Sequence, residues 1–150
     1  MNAPDLVQEL GSRLNLTGLS LTDGVCRLVF DRQLPIDIED DGSGNLAFHS
    51  VIGVLPHGER ERVLRTLMSS HLFGLETGGA AFGLHPGTDD VYLFRILPVD
   101  SLEVEQALRV LESFTHQVEA WKRRWPEVSQ AAARVESRPE TDFAGSSLRA

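Results

Sequence analysis

The chain has 150 residues, 41% hydrophobic and 24% charged, which suits one globular domain with a single core. Its 22 acidic and 14 basic residues leave a formal charge of −8, a field that repels phosphate backbones and anionic bilayers and so argues against nucleic-acid and membrane partners. The lone cysteine, Cys26, excludes an intrachain disulfide.

Periodicity predicts a first helix over residues 4–16, with Leu6, Val7, Leu10 and Leu14 on one face and Pro4 in the first turn. Gly18 and Thr22-Asp23-Gly24 mark a turn. Three strands follow, over 25–31, 34–40 and 45–55. The second alternates Leu34, Ile36 and Ile38 against Asp37 and Glu39. The run Asp40-Asp41-Gly42-Ser43-Gly44-Asn45 has turn chemistry. A second helix fits 58–72, with Val63, Leu64, Leu67, Met68, His71 and Leu72 as its apolar stripe and Glu59 and Glu61 at its positive end. Residues 79–84 and 91–97 read as strands joined by the hairpin loop His85–Asp90. A third helix begins after Pro98, where Asp100 and Glu103 have capping-box spacing. Val104, Leu108, Leu111, Phe114, Val118 and Trp121 share one face of it up to Pro126. Beyond that the composition predicts a disordered tail, so the expected organisation is a domain over 1–126 and a tail over 127–150. The order predicts an α+β fold: an antiparallel twisted sheet of about five strands with three helices, α-β-β-β-α-β-β-α.

The segments that resemble chemical sites fail their tests. Asp37, Glu39, Asp41 and Gly42 match the start of an EF-hand loop, but its twelfth position is Phe48 where a bidentate glutamate is needed, and strands flank it. The glycine-rich run from Gly74 to Gly87 lacks Gly-Lys-Ser/Thr and a following helix. His49, His57, His71, His85 and His116 show no metal-ligand spacing. No Gly-x-Ser-x-Gly elbow occurs, and no nucleophile, base and oxyanion donor assemble. The expectation is a protein without catalytic residues, metal or cofactor. The N-terminus lacks a signal-peptide profile and no apolar run reaches the ~18 residues of a membrane span, which predicts a cytoplasmic location.

The segment LFGLETGGAAFGLHPGTDDVYLFRILPVDSL, residues 72–102, carries a family likeness. It joins the Thr77-Gly78-Gly79 turn, a strand, an acidic hairpin, VYLFRILP and a helix start. With the acidic-aliphatic strand LPIDIED and the helix ending near Trp121, it resembles class I type III secretion chaperones of the Tir-chaperone group over residues 4–125. Two positions depart from the pattern: His71 stands where asparagine is common, and the segment after Pro126 is longer. The resemblance implies a homodimer that performs no reaction and keeps the N-terminal segment of a secreted effector extended and competent for the secretion ATPase. The alternative within the same fold is a regulatory partner that sequesters a secretion regulator.

The resemblance also implies where partners bind. Val7, Leu10 and Leu14 of the first helix, with Leu28, Phe30, Ile36 and Ile38 of the first strands, are the expected effector track. Leu64, Met68, His71 and Leu72 of the second helix, with Ala80 and Phe82 of the next strand, are the expected dimer seam, and Gly78 and Gly79 would allow close backbone approach there. Core packing is the ordinary alternative for each of these positions.

Overall fold

The structure is a computed structural model that describes residues 1–136, with side chains to residue 130. The helices are α1 (Ala3–Arg13), α2 (Arg60–His71) and α3 (Val104–Glu136). The strands are β1 (Val25–Phe30), β2 (Leu34–Asp40), β3 (Asn45–Val54), β4 (Ala81–Leu84) and β5 (Asp90–Pro98). They form one antiparallel sheet in the order β1-β2-β3-β5-β4, so β1 and β4 are its edges. This is the expected α+β order and strand number.

Alternation decides which sheet face is covered. Cys26 and Leu28, Ile36 and Ile38, Leu46, Phe48 and Ile52, and Val91 and Leu93 are all buried. They face α1 and α3, which contribute Leu6, Val7, Leu10, Leu111, Phe114, Val118 and Trp121 to the same core. Odd-numbered residues of β1 and β2 lie on the opposite, open face.

Local chemistry sets the element ends. The Asn2 side chain caps α1 by accepting from the Asp5 amide at 2.9 Å. The helix stops at Arg13, earlier than periodicity implied, because Asn15 at φ +56° and Gly18 at φ +79° turn the chain back. β4 starts at Ala81 instead of residue 79, since Gly78 (φ +60°) and Gly79 (φ +85°) lie in the left-handed region. Asp100 sits in a 3₁₀ turn, Val99–Ser101, and α3 starts later than a cap at Asp100 would place it. α3 continues through Pro126, where the pattern alone predicted an end. Proline removes one backbone donor and crowds the preceding turn. Trp125 and Val128, packed against the core on either side of Pro126, outweigh that penalty. The Ser129 hydroxyl donates to the Trp125 carbonyl at 2.9 Å. Residues 137–150, most of the expected tail, lie outside the described residues.

Two contacts fix the frame. Arg60 donates to both carboxylate oxygens of Asp89 at 3.0 and 2.9 Å, tying α2 to the β4–β5 loop. That guanidinium holds the Asp89 carboxyl below the usual carboxylate range. On β3 the register shifts between Val51 and Gly53, and the Trp125 indole lies where a side chain at residue 53 would be. Gly53→Ala is therefore expected to lower unfolding stability by about 1–3 kcal/mol in urea titration, by overpacking. Combined with Trp125→Ala, its effect should be clearly less than additive. Full additivity would show that the indole does not depend on the missing Cβ.

Candidate partner-binding surfaces

The expected effector track divides on burial. Val7, Leu10, Leu28, Ile36 and Ile38 are at most 4% exposed within a single chain. They are core residues, which corrects their assignment to a surface track: the apolar stripe of α1 and the inward side of β1 and β2 complete each other. Leu14 and Phe30 are only partly buried. They line a groove of about 450 Å³ between the end of α1 and β1, together with Leu16, Leu19 and Val29. Leu16 and Val29 are 43% and 56% exposed. Sequence reasoning missed Leu16 and Leu19. Their signal was the density of leucines inside a turn segment.

Among the described residues β1 is also a free strand edge. The Phe30 carbonyl accepts from Gln33 within the β1–β2 turn, while the Val25 amide and carbonyl pair with Thr22 on the other side. Backbone groups alternate, so those of Arg27 and Val29 point away from β2. An open edge of this kind is a template for an added strand.

The expected seam divides as well. Ala80 is buried in the core, which corrects its placement at a seam. Phe82 is partly buried and packs edge-on against both His71 (5.9 Å) and Trp121 (4.8 Å) of its own chain. Gly78 and Gly79 are accounted for by the turn itself, since side chains there would meet Gln117 and Arg95. Leu64 is partly buried. Met68 and Leu72 are open to solvent and continue into Phe73 and Leu75, which sequence reasoning did not select. Phe73 is 89% exposed and holds φ +56° in the 3₁₀ turn Leu72–Gly74. A bulky aromatic in that backbone region is unusual. Its side chain makes little of its apolar surface within the chain, so the patch Leu64–Met68–Leu72–Phe73–Leu75 is apolar surface without cover among the described residues.

The open sheet face carries a third feature. A groove of about 440 Å³ runs from Glu39 across Ala47 and His49 to Tyr92, Phe94, Ile96 and Leu84. His49 Nε2 donates to Glu39 Oε2 at 2.9 Å, and its ring meets Tyr92 edge-on at 5.8 Å. His49 Nδ1 is buried without a partner among the described residues, 4.0 Å from Asp37 Oδ2. Asp37 is itself engaged by Arg27 through two bonds, at 2.7 and 2.8 Å. Those hydrogen bonds hold the Asp37 carboxyl below its ordinary range.

Burial raises the Cys26 thiol, so it is a poor nucleophile. Among the described residues no group of His, Cys, Asp and Glu is placed to hold a metal ion, and no helix is long and apolar enough to cross a membrane.

Comparison with solved structures gives the same architecture. The ExsC–ExsE complex contains a chain 23% identical, with a TM-score of 0.65 over 82% of this chain and 96% of that one. The HopA1–SchA chaperone–effector complex matches at 18% identity and TM-score 0.65, over 79% and 91%. The type III secretion chaperone SycH of Yersinia pestis, in complex with a fragment of YscM2, matches at 18% identity and TM-score 0.62, over 79% and 98%. At these identities the likeness is one of fold. No curated protein matches the sequence significantly. The sequence model of one family, however, matches residues 5–122, most of the chain and every element from α1 into α3. This chain belongs to the Tir chaperone protein (CesT) family.

Proposed function

We propose that the protein is a cytoplasmic type III secretion chaperone that works as a homodimer and holds the N-terminal segment of an effector along the α1–β1 edge. The observation that carries this is the pairing of a free strand edge, at Arg27 and Val29, with an apolar groove beside it. Family membership and the solved chaperone–effector complex of the same fold support it.

Energetics favour such a pairing. Ordering a partner residue's backbone costs about 1–2 kcal/mol. Burying a leucine or phenylalanine returns roughly 1.5–3 kcal/mol. An extended segment therefore needs an apolar anchor at nearly every second residue, and a strand has that period. Main-chain bonds to the β1 edge fix its register, while Leu14, Leu16, Leu19 and Phe30 receive the anchors.

The test uses the tagged full chain in its native host. Recovery of a secreted protein identifies the effector, whereas recovery of a transcription-related partner replaces the chaperone reading by the regulatory one. Val29→Pro then probes the edge. Its amide faces away from β2, so proline there leaves the sheet's own pairing intact and removes a donor from the added strand. Effector affinity should fall about tenfold or more, with the thermal midpoint within a few degrees of the parent. Unchanged affinity would place the effector elsewhere.

A further inference from the structure

The groove on the open sheet face combines an apolar floor with a carboxylate held by a single imidazole. Glu39 borders it, half exposed, and its partner among the described residues is His49; the nearby guanidinium of Arg27 is committed to Asp37. Ile96 and Leu84 are 55% and 40% exposed, with Tyr92 and Phe94 beside them. The floor is concave because its central positions are small. Ala47 pairs with both Glu39 and Ile96, and the Phe94 ring lies against Gly83, where a Cβ would approach it to 3.2 Å.

An occupant that covers this floor also removes water from Glu39. A neutral cover leaves a desolvated carboxylate held by one imidazole, and an acidic cover adds like-charge repulsion. A guanidinium or ammonium supplies donors that the site lacks. The charge of −8 on the whole chain has the same sign preference.

We propose that this groove is a second reading site for the chaperone's partner, taking an apolar segment that carries one arginine or lysine, with Glu39 selecting the cation. The inference rests on the chaperone reading but uses a different surface from the β1 edge. His49 acts as a positioning residue: its bond at 2.9 Å holds the Glu39 carboxylate over the groove.

The experiment titrates the full chain with blocked 12-residue peptides of leucine and serine that differ at one central residue: arginine, glutamine or glutamate. Calorimetry reads affinity and amide chemical shifts read location. The arginine peptide should bind tightest, about fivefold over glutamine, with shifts at Ala47, Tyr92 and Ile96. Glu39→Lys should invert the order so that the glutamate peptide binds best, and Ile96→Ser should weaken all three. Glu61→Gln, on exposed α2, should change nothing, which separates local selection from net charge. Shifts confined to the β1 edge, an order unaltered by Glu39→Lys, equal sensitivity to Glu61→Gln, or no binding by any peptide would each overturn the proposal. Unchanged effector affinity in Val29→Pro, alongside peptide binding at the groove, would instead count against the edge reading alone.

Discussion

Replacing Phe73 by aspartate is expected to break the proposed homodimer into monomers while leaving each chain folded. Phe73, 89% exposed, is the most exposed of the apolar residues Met68, Leu72, Phe73 and Leu75. A second copy is the occupant in the proposed homodimer, and a two-fold dimer uses the same patch twice. Each phenylalanine so buried contributes roughly 2 kcal/mol, so losing both weakens association by about 4 kcal/mol, or roughly a thousandfold. Aspartate suits the test for a second reason. Residue 73 holds φ +56°, a region that aspartate enters more readily than phenylalanine. The variant therefore relieves local backbone strain as it removes the anchor. Sedimentation velocity at micromolar concentration should show a monomer, and the monomer's denaturation midpoint should not fall. A persistent dimer would assign the seam to another face. A monomeric parent protein would remove the seam altogether.

The sequence pattern read the architecture well because period and turn chemistry are local properties. Leu34, Ile36 and Ile38 alternate, and β2 runs over Leu34–Asp40 as that alternation requires. The hairpin chemistry at His85–Asp90 likewise separates β4 from β5. Tertiary forces were less legible. Pro126 reads as a stop, yet the partners of Trp125 and Val128 lie far away in sequence and carry α3 past it. The candidate binding surfaces were hardest to read for a related reason. Apolar periodicity reports that a residue is buried, and it cannot say whether the burial is within the chain or against a partner. Val7, Leu10, Leu28, Ile36 and Ile38 have the strongest periodicity and are core. Leu16, Leu19, Phe73 and Leu75 stand in turns, outside any period, and that irregularity is what leaves them on the surface. An apolar residue in a turn is thus a better marker of exposed apolar surface here than an apolar residue on a helix stripe.

Trp121 is the residue through which core stability and the proposed seam are coupled. It is 1% exposed, packs edge-on against Phe82 at 4.8 Å, and lies under the Arg124 guanidinium at 4.1 Å. Its Nε1 donates to the Glu76 carbonyl at 3.0 Å, across the fold from α3 to the loop that presents Phe73 and Leu75. Two substitutions separate these roles. Trp121→Ala removes a fully buried aromatic and leaves a cavity, which should lower stability by about 3–5 kcal/mol in denaturant titration. Trp121→Phe keeps most of the ring packing and deletes the donor, so its stability loss should be about 1–2 kcal/mol. Its larger signature lies elsewhere. With the Glu76 carbonyl released, amide exchange should accelerate through residues 72–80, and dimer dissociation should rise about tenfold because the patch must be ordered anew on association. The comparison that decides is with Phe114→Leu, a core change in α3 whose residue has no bond to that loop and which costs similar stability. If Phe114→Leu weakens the dimer as much as Trp121→Phe, general destabilisation explains both. If only Trp121→Phe does, the indole is the strut that holds the 72–80 loop in its binding shape.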